Sequence, residues 1–350
     1  MTYSGPVLQV RDRAVDRKLF VLEKPRAKPV FVKGFDKMLK YALKRLGRSM
    51  ITIVIILTVL FAMLQVMPIE GYFNNFDKLS QQQIDQGLRE LGLKDPLYVQ
   101  VGRFLLNLFK GDLGVSHRYR ENVAITTILA DKIPVSFRFG LISMAVSLPL
   151  GMILGVLMAL NKGGILDKLG NAYIVVIQAV PNAIYFLLIQ VYGSELLHCS
   201  MLYRDGQPIT MVLPILTLAM PSIASYGMWL RRYMVDETNK DYIKLARAKG
   251  VPNTTIWFKH VFRNSFVPMI QTIPGSLLMT ISGSIYTESL YSIPGMGGLL
   301  VDVIKRQDNN MVQVLVLIFA CMGIIGLLLG DIAMTLVDPR ISFTKKGGAR

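Results

Sequence analysis

The residue types most able to do chemistry are few and widely spaced in this sequence. Its three histidines, His117, His198 and His260, fall in separate polar segments, and no His-Glu-x-x-His pattern for zinc is present. The Gly-x-x-x-x-Gly-Lys-Ser/Thr loop that binds nucleotide phosphates is also missing. Cys199 and Cys321 stand far apart, which disfavours a disulfide framework or a cysteine zinc site. We therefore expect no catalytic residue, no metal site and no ATP hydrolysis by this chain itself.

One acidic residue, Asp331, lies well inside an apolar stretch. A carboxylate at mid-membrane costs about 2.5 to 3.5 kcal/mol, so Asp331 needs a partner or water. Proton coupling is one hypothesis. A structural hydrogen bond or ion pair near the cytoplasmic end of a span is the hypothesis that we favour. An intramembrane aspartyl protease would need two buried aspartates and is disfavoured.

The elements that position these residues are membrane spans. The 350 residues are 52% hydrophobic and 18% charged, which is too apolar for one or two soluble domains. A bilayer core about 30 Å thick needs roughly 20 apolar residues as helix. Windows of that size predict an all-α integral membrane protein with six transmembrane helices at residues 49–67, 136–160, 173–192, 210–230, 266–286 and 311–337.

The basic residues predict the orientation of these spans. Six lysines and arginines lie between Lys33 and Arg48, against Lys78 alone between residues 68 and 85. The resulting topology gives ten basic residues to the inner loops at 161–172 and 231–265, and three to the outer loops at 193–209 and 287–310. We expect both termini to be cytoplasmic. The net charge of +16 then reflects membrane sidedness and gives no support for a nucleic-acid partner.

The polar segments outside the spans carry weaker signals. Residues 1–36 and 341–350 are predicted to be cytoplasmic tails, and residues 37–48 to be an interfacial helix or a simple basic flank. The outer region at 68–135 contains an amphipathic helix that either receives a partner or covers apolar surface. Its apolar face comprises Leu97, Tyr98, Val101, Phe104, Leu105, Leu108 and Phe109. Its polar face comprises Gln100, Arg103, Asn107 and Lys110.

The loop at 231–265 is the most informative polar segment. Thr238 and Asp241 have capping-box spacing, which predicts a helix start. Tyr242, Leu245 and Ala246 are predicted to form its apolar face, and Gly250 its end. A second short helix is predicted from residue 253. Such a loop either docks a soluble partner or anchors the bundle, and spacing alone does not decide between the two.

Five segments of this sequence resemble ABC-importer permeases of the oligopeptide, dipeptide and nickel family. They are DYIKLARAKGVPNTTIWFKHVFRNSFVP (241–268), LGLKDPLYVQ (91–100), GDLGVS (111–116), ESLYSIPGMGGLLVDVIKRQD (288–308) and GDIAMTLVDPR (330–340). The chain is most similar to the first, or B-type, of the two paired peptide permeases. The resemblance implies the type I ABC-importer permease fold, with a permease core at residues 136–340.

The resemblance also implies a set of partners. We expect half of a pore for peptides in a bacterial plasma membrane, formed with a second homologous permease as a heterodimer and surrounded by membrane lipid. Two cytoplasmic ATPases would bind ATP and Mg, and an extracytoplasmic peptide-binding protein would deliver substrate. The loop at 241–264 would contact one ATPase. The residues carried over as ATPase-coupling are Asp241, Tyr242, Leu245, Ala246, Arg247, Ala248, Gly250, Trp257, His260, Arg263 and Asn264.

Polar residues within spans are candidates for the translocation path. They are Gln178, Asn182, Gln190, Gln271, Ser282, Ser284 and Glu288. Each could equally bond a neighbouring helix. Asp331, Asp338 and Pro339 are expected to be structural. The alternative function is an ion-coupled secondary transporter for peptides or another small solute, since an intramembrane acid and proline-broken helices would suit one.

Overall fold

The computed structural model describes residues 30–66, 69–73, 76–90, 92–281 and 284–337. Within these ranges the chain is almost entirely helical, and its extended pairing is limited to an isolated β-bridge between Val115 and Ala124. The α-helices of these ranges are α1 (Val30–Val66), α2 (Gln81–Glu90), α3 (Leu97–Phe109), α4 (Ile125–Leu160), α5 (Ile165–Ala179), α6 (Asn182–Leu196), α7 (Val212–Thr238), α8 (Asp241–Ala248), α9 (Asn253–Thr255), α10 (Arg263–Ile281), α11 (Ile285–Tyr291), α12 (Met296–Lys305) and α13 (Asn309–Val337).

The apolar helices of the described ranges account for most of the predicted spans. Four segments are long and apolar enough to cross a membrane, namely Leu46–Met63, Ile125–Leu160, Pro208–Thr238 and Asn309–Met334. The pair α5 and α6 makes a fifth if it counts as one broken span. Helix α10, which holds most of the predicted fifth span, has 19 residues and two internal prolines and does not belong to this set. The described residues thus contain four or five such spans, and six stays a prediction.

The third predicted span differs from the expectation of one kinked helix. Helix α5 ends at Ala179, Val180 is extended, and α6 leaves at a bend of 106°. The reason is Pro181, because proline pushes the residue before it out of the helical region. Its ring also removes a backbone donor. The chain therefore breaks in the middle of the predicted span.

Small residues set the closest helix contacts. An added Cβ on Gly155 of α4 would lie 2.8 Å from the carbonyl oxygen of Gly227 on α7. On Gly326 of α13 it would lie 2.8 Å from the Cα of Gly275 on α10. Neither contact leaves room for a side chain, so each pair of helix backbones packs directly together. Helix α4 packs on α7, and α10 packs on α13, in this way.

Helix α3 is amphipathic, but three of its side chains differ in exposure from the predicted faces. Phe104 packs edge to face on Phe61 of α1 at a ring separation of 5.5 Å, as the apolar pattern predicts. Tyr98 and Phe109, predicted on the same face, are each 78% exposed. Gln100 was placed on the polar face and is buried, because its amide donates to the carbonyls of Leu93 and Asp95.

The basic segment at 37–48 does not form a separate interfacial helix. It continues into the first span as one helix of 37 residues, α1. The tail at 1–29 and the residues from 338 onward lie outside the described residues.

Candidate functional site

The loop at 241–262, hereafter the loop unit, folds as the helix, glycine turn and helix that its sequence predicts. Helix α8 ends at a turn in which Gly250 has a φ of +74°. The Gly250 N–H donates to the Arg247 carbonyl at 3.0 Å, and the Val251 N–H donates to that of Ala246 at 3.1 Å. These bonds close the helix C-terminus, and glycine tolerates the left-handed conformation that they need. Helix α9 follows and passes into a π-helical segment, Ile256–Phe262.

The predicted capping box at the start of the loop unit is wrong. Helix α7 runs past its predicted end at residue 230 to Thr238, whose hydroxyl donates to the Val235 carbonyl at 2.7 Å. Thr238 therefore ends α7 and does not begin α8. Lys240 takes the N-cap position of α8 and makes no side-chain capping bond. The hydropathy pattern ended α7 too early because its last two turns are polar.

The loop unit is anchored by apolar residues on both of its helices. Ile243 of α8 is fully buried, and Ile256 and Val261 of the second helix are 1% and 0% exposed. All three pack in one cluster with Leu230 and Met234 of α7. The predicted apolar face of α8 is thus rotated, because Ile243 points inward while Leu245 is 56% exposed. The pattern of polar and apolar residues covers only eight positions, which is too short to predict which side of α8 faces inward.

A polar cluster ties the loop unit to both helices that flank it. The Tyr242 hydroxyl donates to the Glu237 carboxylate at the end of α7. It accepts from the Asn264 amide at the start of α10, at 2.7 Å. Burial and the neighbouring Glu237 carboxylate raise the pKa of Tyr242 to about 12, so the phenol keeps its proton near neutral pH. Glu237 was not among the predicted site residues.

The outward face of the loop unit combines apolar and cationic side chains. Leu245 and Phe258 are 56% and 62% exposed. Lys244 bonds Asp241 at 2.9 Å and lowers the pKa of that carboxyl. Of the predicted coupling residues, Ala246, Trp257 and His260 are partly buried. The exposed ones are Asp241, Tyr242, Leu245, Arg247, Ala248, Gly250, Arg263 and Asn264.

The predicted path residues separate into two groups. Asn182 and Ser284 line an open pocket of about 250 Å³ beside α6, α7 and α10. Phe186, Ser222 and Tyr286 also line this pocket, and the sequence analysis missed them. Gln178 makes a contact of 3.6 Å from its amide to the Met228 sulfur.

Two other candidates bond within the protein. Gln190 is buried and donates to the carbonyls of Met201 and Leu290. Gln271 donates to Asp331 at 2.9 Å. Each of these side chains joins helices or loops, and its place on the path stays a prediction. Ser282 lies outside the described residues.

Glu288 is also turned away from the pocket. Its carboxylate is buried and accepts from the Ser136 hydroxyl of α4 at 2.7 Å. It also accepts from the N–H groups of Gly297 and Gly298, at 2.6 and 2.9 Å, in the first turn of α12. A carboxylate is favoured there because the first N–H groups of a helix have no partner within it. Glu288 therefore caps α12 and joins it to α4.

Asp331 makes a hydrogen bond of the kind that a structural role requires. Its carboxylate is 3% exposed and accepts from Gln271 across the α10 and α13 contact. Asp338 and Pro339 lie outside the described residues.

A second buried aspartate fastens the outer motif at 111–116. Asp308 precedes α13 and accepts from the Ser116 hydroxyl at 2.6 Å. It also accepts from the backbone N–H groups of residues 117–119 at 3.0 to 3.1 Å. The segments 111–116 and 288–308, far apart in sequence, thus meet at one carboxylate.

Two family descriptions match consecutive parts of the chain. "Binding-protein-dependent transport system inner membrane component" matches residues 151–343, and the corresponding N-terminal description matches residues 38–139. The dipeptide transport system permease protein DppB of Lactococcus lactis is 32% identical over 304 residues, which are 87% of this chain and 99% of the relative. DppB of Bacillus subtilis is 33% identical over 314 residues, which are 89% of this chain and all of the relative.

A third relative and one solved structure are more distant. The oligopeptide transport system permease protein OppB of Haemophilus influenzae is 26% identical over 311 residues, covering 87% of this chain and 100% of the relative. A chain of a solved amino acid ABC transporter aligns with a TM-score of 0.47 and 14% identity, over 62% of this chain and 95% of that chain.

Proposed function

Since this chain belongs to the binding-protein-dependent inner membrane transport family, in its oligopeptide and dipeptide permease branch, we propose that it forms half of a translocation path for peptides. It is a multi-pass membrane subunit of an ABC transporter with the type I permease fold, and it is not itself an enzyme. We place it in a bacterial plasma membrane with both termini cytoplasmic. Its other half is a second, homologous permease.

The energy for transport comes, in this proposal, from two ATPase subunits that bind ATP and Mg on the cytoplasmic side. A peptide-binding protein delivers substrate on the opposite side, and lipid surrounds the spans. The relatives are dipeptide and oligopeptide permeases by name, which supports peptides as the substrate class. No nucleic acid takes part.

The observation that carries this proposal is the construction of the loop unit. Its inner side is fixed by Ile243, and its outer side leaves Leu245 exposed among cations. An exposed apolar side chain on a rigidly anchored loop is suited to bind a protein partner. The link through Glu237, Tyr242 and Asn264 joins the same loop to two long helices, so a partner that moves the loop can also move the helices.

Coupling then requires a difference in affinity. Nucleotide must make the ATPases favour one arrangement of the loop unit, since equal affinity for both would shift nothing. The alternative, an ion-coupled carrier, loses its main support because Asp331 is bonded to Gln271.

A substitution on the outward face tests the docking role. We expect Leu245→Asp to abolish or strongly weaken co-purification of the ATPases with the permease pair. Leu202→Asp is the matched control, since Leu202 is 46% exposed in the predicted outer loop. Equal ATPase recovery from Leu245→Asp, Leu202→Asp and the wild type would refute the assignment of this surface.

A further inference from the structure

An ion pair between a buried carboxylate and a partly exposed arginine links α5 to α7 away from the loop unit. Asp167, in the first turn of α5, is 3% exposed. Its two carboxylate oxygens accept from Nε and Nη2 of Arg231, at 2.5 and 2.7 Å. The Gly163 N–H and the Asn171 amide add bonds of 2.8 and 3.1 Å. Each carboxylate oxygen thus accepts two hydrogen bonds, which together hold the carboxylate in one orientation.

The geometry of this pair indicates positioning more than stability. A buried ion pair has a desolvation penalty that often equals its Coulomb attraction, so its net effect on folding is small. A two-pronged contact between arginine and carboxylate does fix orientation, because both planes must align. The pair therefore holds α5 and α7 in one register, together with the bond from the Tyr173 hydroxyl to the Met220 carbonyl at 2.8 Å.

The two helices joined by this pair lead to different functional surfaces. Arg231 lies about two helical turns before Thr238, where α7 ends and the chain enters the loop unit. Asp167 lies in the first turn of α5, which is followed by the 106° break and then α6. Asn182 and Phe186, at the start of α6, line the pocket. The ion pair thus lies on a continuous path of packed elements from the loop unit to the pocket.

We propose that Asp167 and Arg231 form a positioning pair that transmits movement of the loop unit to the broken span α5–α6. This inference rests on the proposed function, because it needs the loop unit to be moved by an ATPase. When α7 shifts, the pair makes α5 follow. Helix α6 then moves with α5, and the pocket that the start of α6 lines changes shape. Without the pair, α7 moves and ATP is hydrolysed, but α5 and α6 follow less completely.

The test uses the assembled transporter in proteoliposomes with ATP, binding protein and labelled peptide. The key variant is the double substitution Asp167→Asn with Arg231→Gln, which removes both charges and leaves no unpaired ion in the interior. We expect the ATPase activity to stay within about twofold of the wild type. We expect peptide uptake per ATP hydrolysed to fall about five- to tenfold, which is at the lower end of typical allosteric couplings. Arg120→Gln with Asp131→Asn is the matched control, since that pair is exposed at 3.3 Å.

The possible results separate the positioning role of the pair from the proposed function. Wild-type uptake per ATP in the double variant would overturn the positioning role. Loss of assembly or thermal stability in the double variant, with unchanged uptake per ATP in the fraction that assembles, would also overturn it, because the pair would then be structural only. Absence of ATP-dependent uptake in the wild type would instead overturn the proposed function.

Discussion

Replacement of Gly250 with valine perturbs the turn that ends α8. Gly250 has a φ of +74°, and an added Cβ would meet no heavy atom within 4 Å. A Cβ therefore fits in space, and the main penalty for valine comes from the backbone conformation. The variant tests the turn without disturbing the packing around it.

The size of the effect follows from this conformation. A left-handed backbone costs an L-residue about 1 to 2 kcal/mol, and branching at Cβ makes valine one of the least suited residues. This shifts the equilibrium between the closed turn and open forms by about 5- to 30-fold. Opening breaks the bonds from Gly250 and Val251 to the carbonyls of Arg247 and Ala246 and loosens the end of α8. We expect uptake to fall and to separate from ATP hydrolysis.

Uptake and ATPase stimulation by loaded binding protein are measured together in proteoliposomes. Gly250→Asn is the first control, since asparagine tolerates the left-handed region, and it should retain most activity. Gly206→Val is the matched control, because Gly206 has a φ of +80° and equally open space but lies in the predicted outer loop. Normal uptake and normal stimulation in Gly250→Val would refute the reasoning about this turn.

Three further substitutions test other contacts of the structure. Asp331→Asn should retain most ATP-driven uptake, because an amide oxygen can still accept from Gln271, whereas strict dependence of uptake on the acid would contradict a structural role. Tyr242→Phe removes a hydroxyl that is bonded to Glu237 and Asn264, and it should lower the stability by about 1 kcal/mol. It should also lower ATPase stimulation, and unchanged stimulation would argue against this link. Glu288→Ala leaves donors at the start of α12 without an acceptor, and each such donor costs about 1 to 3 kcal/mol. The variant should lower the melting temperature of the complex, and Glu288→Gln should lower it less.

The sequence predicts the broad architecture well because hydropathy reports directly on membrane burial. It places four of the six predicted spans and the glycine end of α8, and Gly250 has the positive φ that its position suggests. It misplaces helix ends. Helix α4 begins at Ile125 and α7 ends at Thr238, because both continue into polar sequence that hydropathy does not detect.

The candidate sites are predicted less well, because side-chain direction depends on tertiary contacts. Gln190 and Glu288 look like path residues by composition, yet they bond groups about 100 and 150 positions away in sequence. The inward turn of Ile243 likewise depends on the cluster formed by α7 and the second helix of the loop unit. Such contacts leave no local signal in the sequence.

We propose that this chain transports peptides with energy from ATP. The most direct measurement is uptake of a labelled peptide by proteoliposomes that contain the chain with its co-purifying partners. One sample receives ATP on the side of the ATPases, and another receives a proton gradient without ATP. We predict uptake that requires ATP and the binding protein. Gradient-driven uptake by the purified chain alone would contradict the claim and identify a secondary carrier.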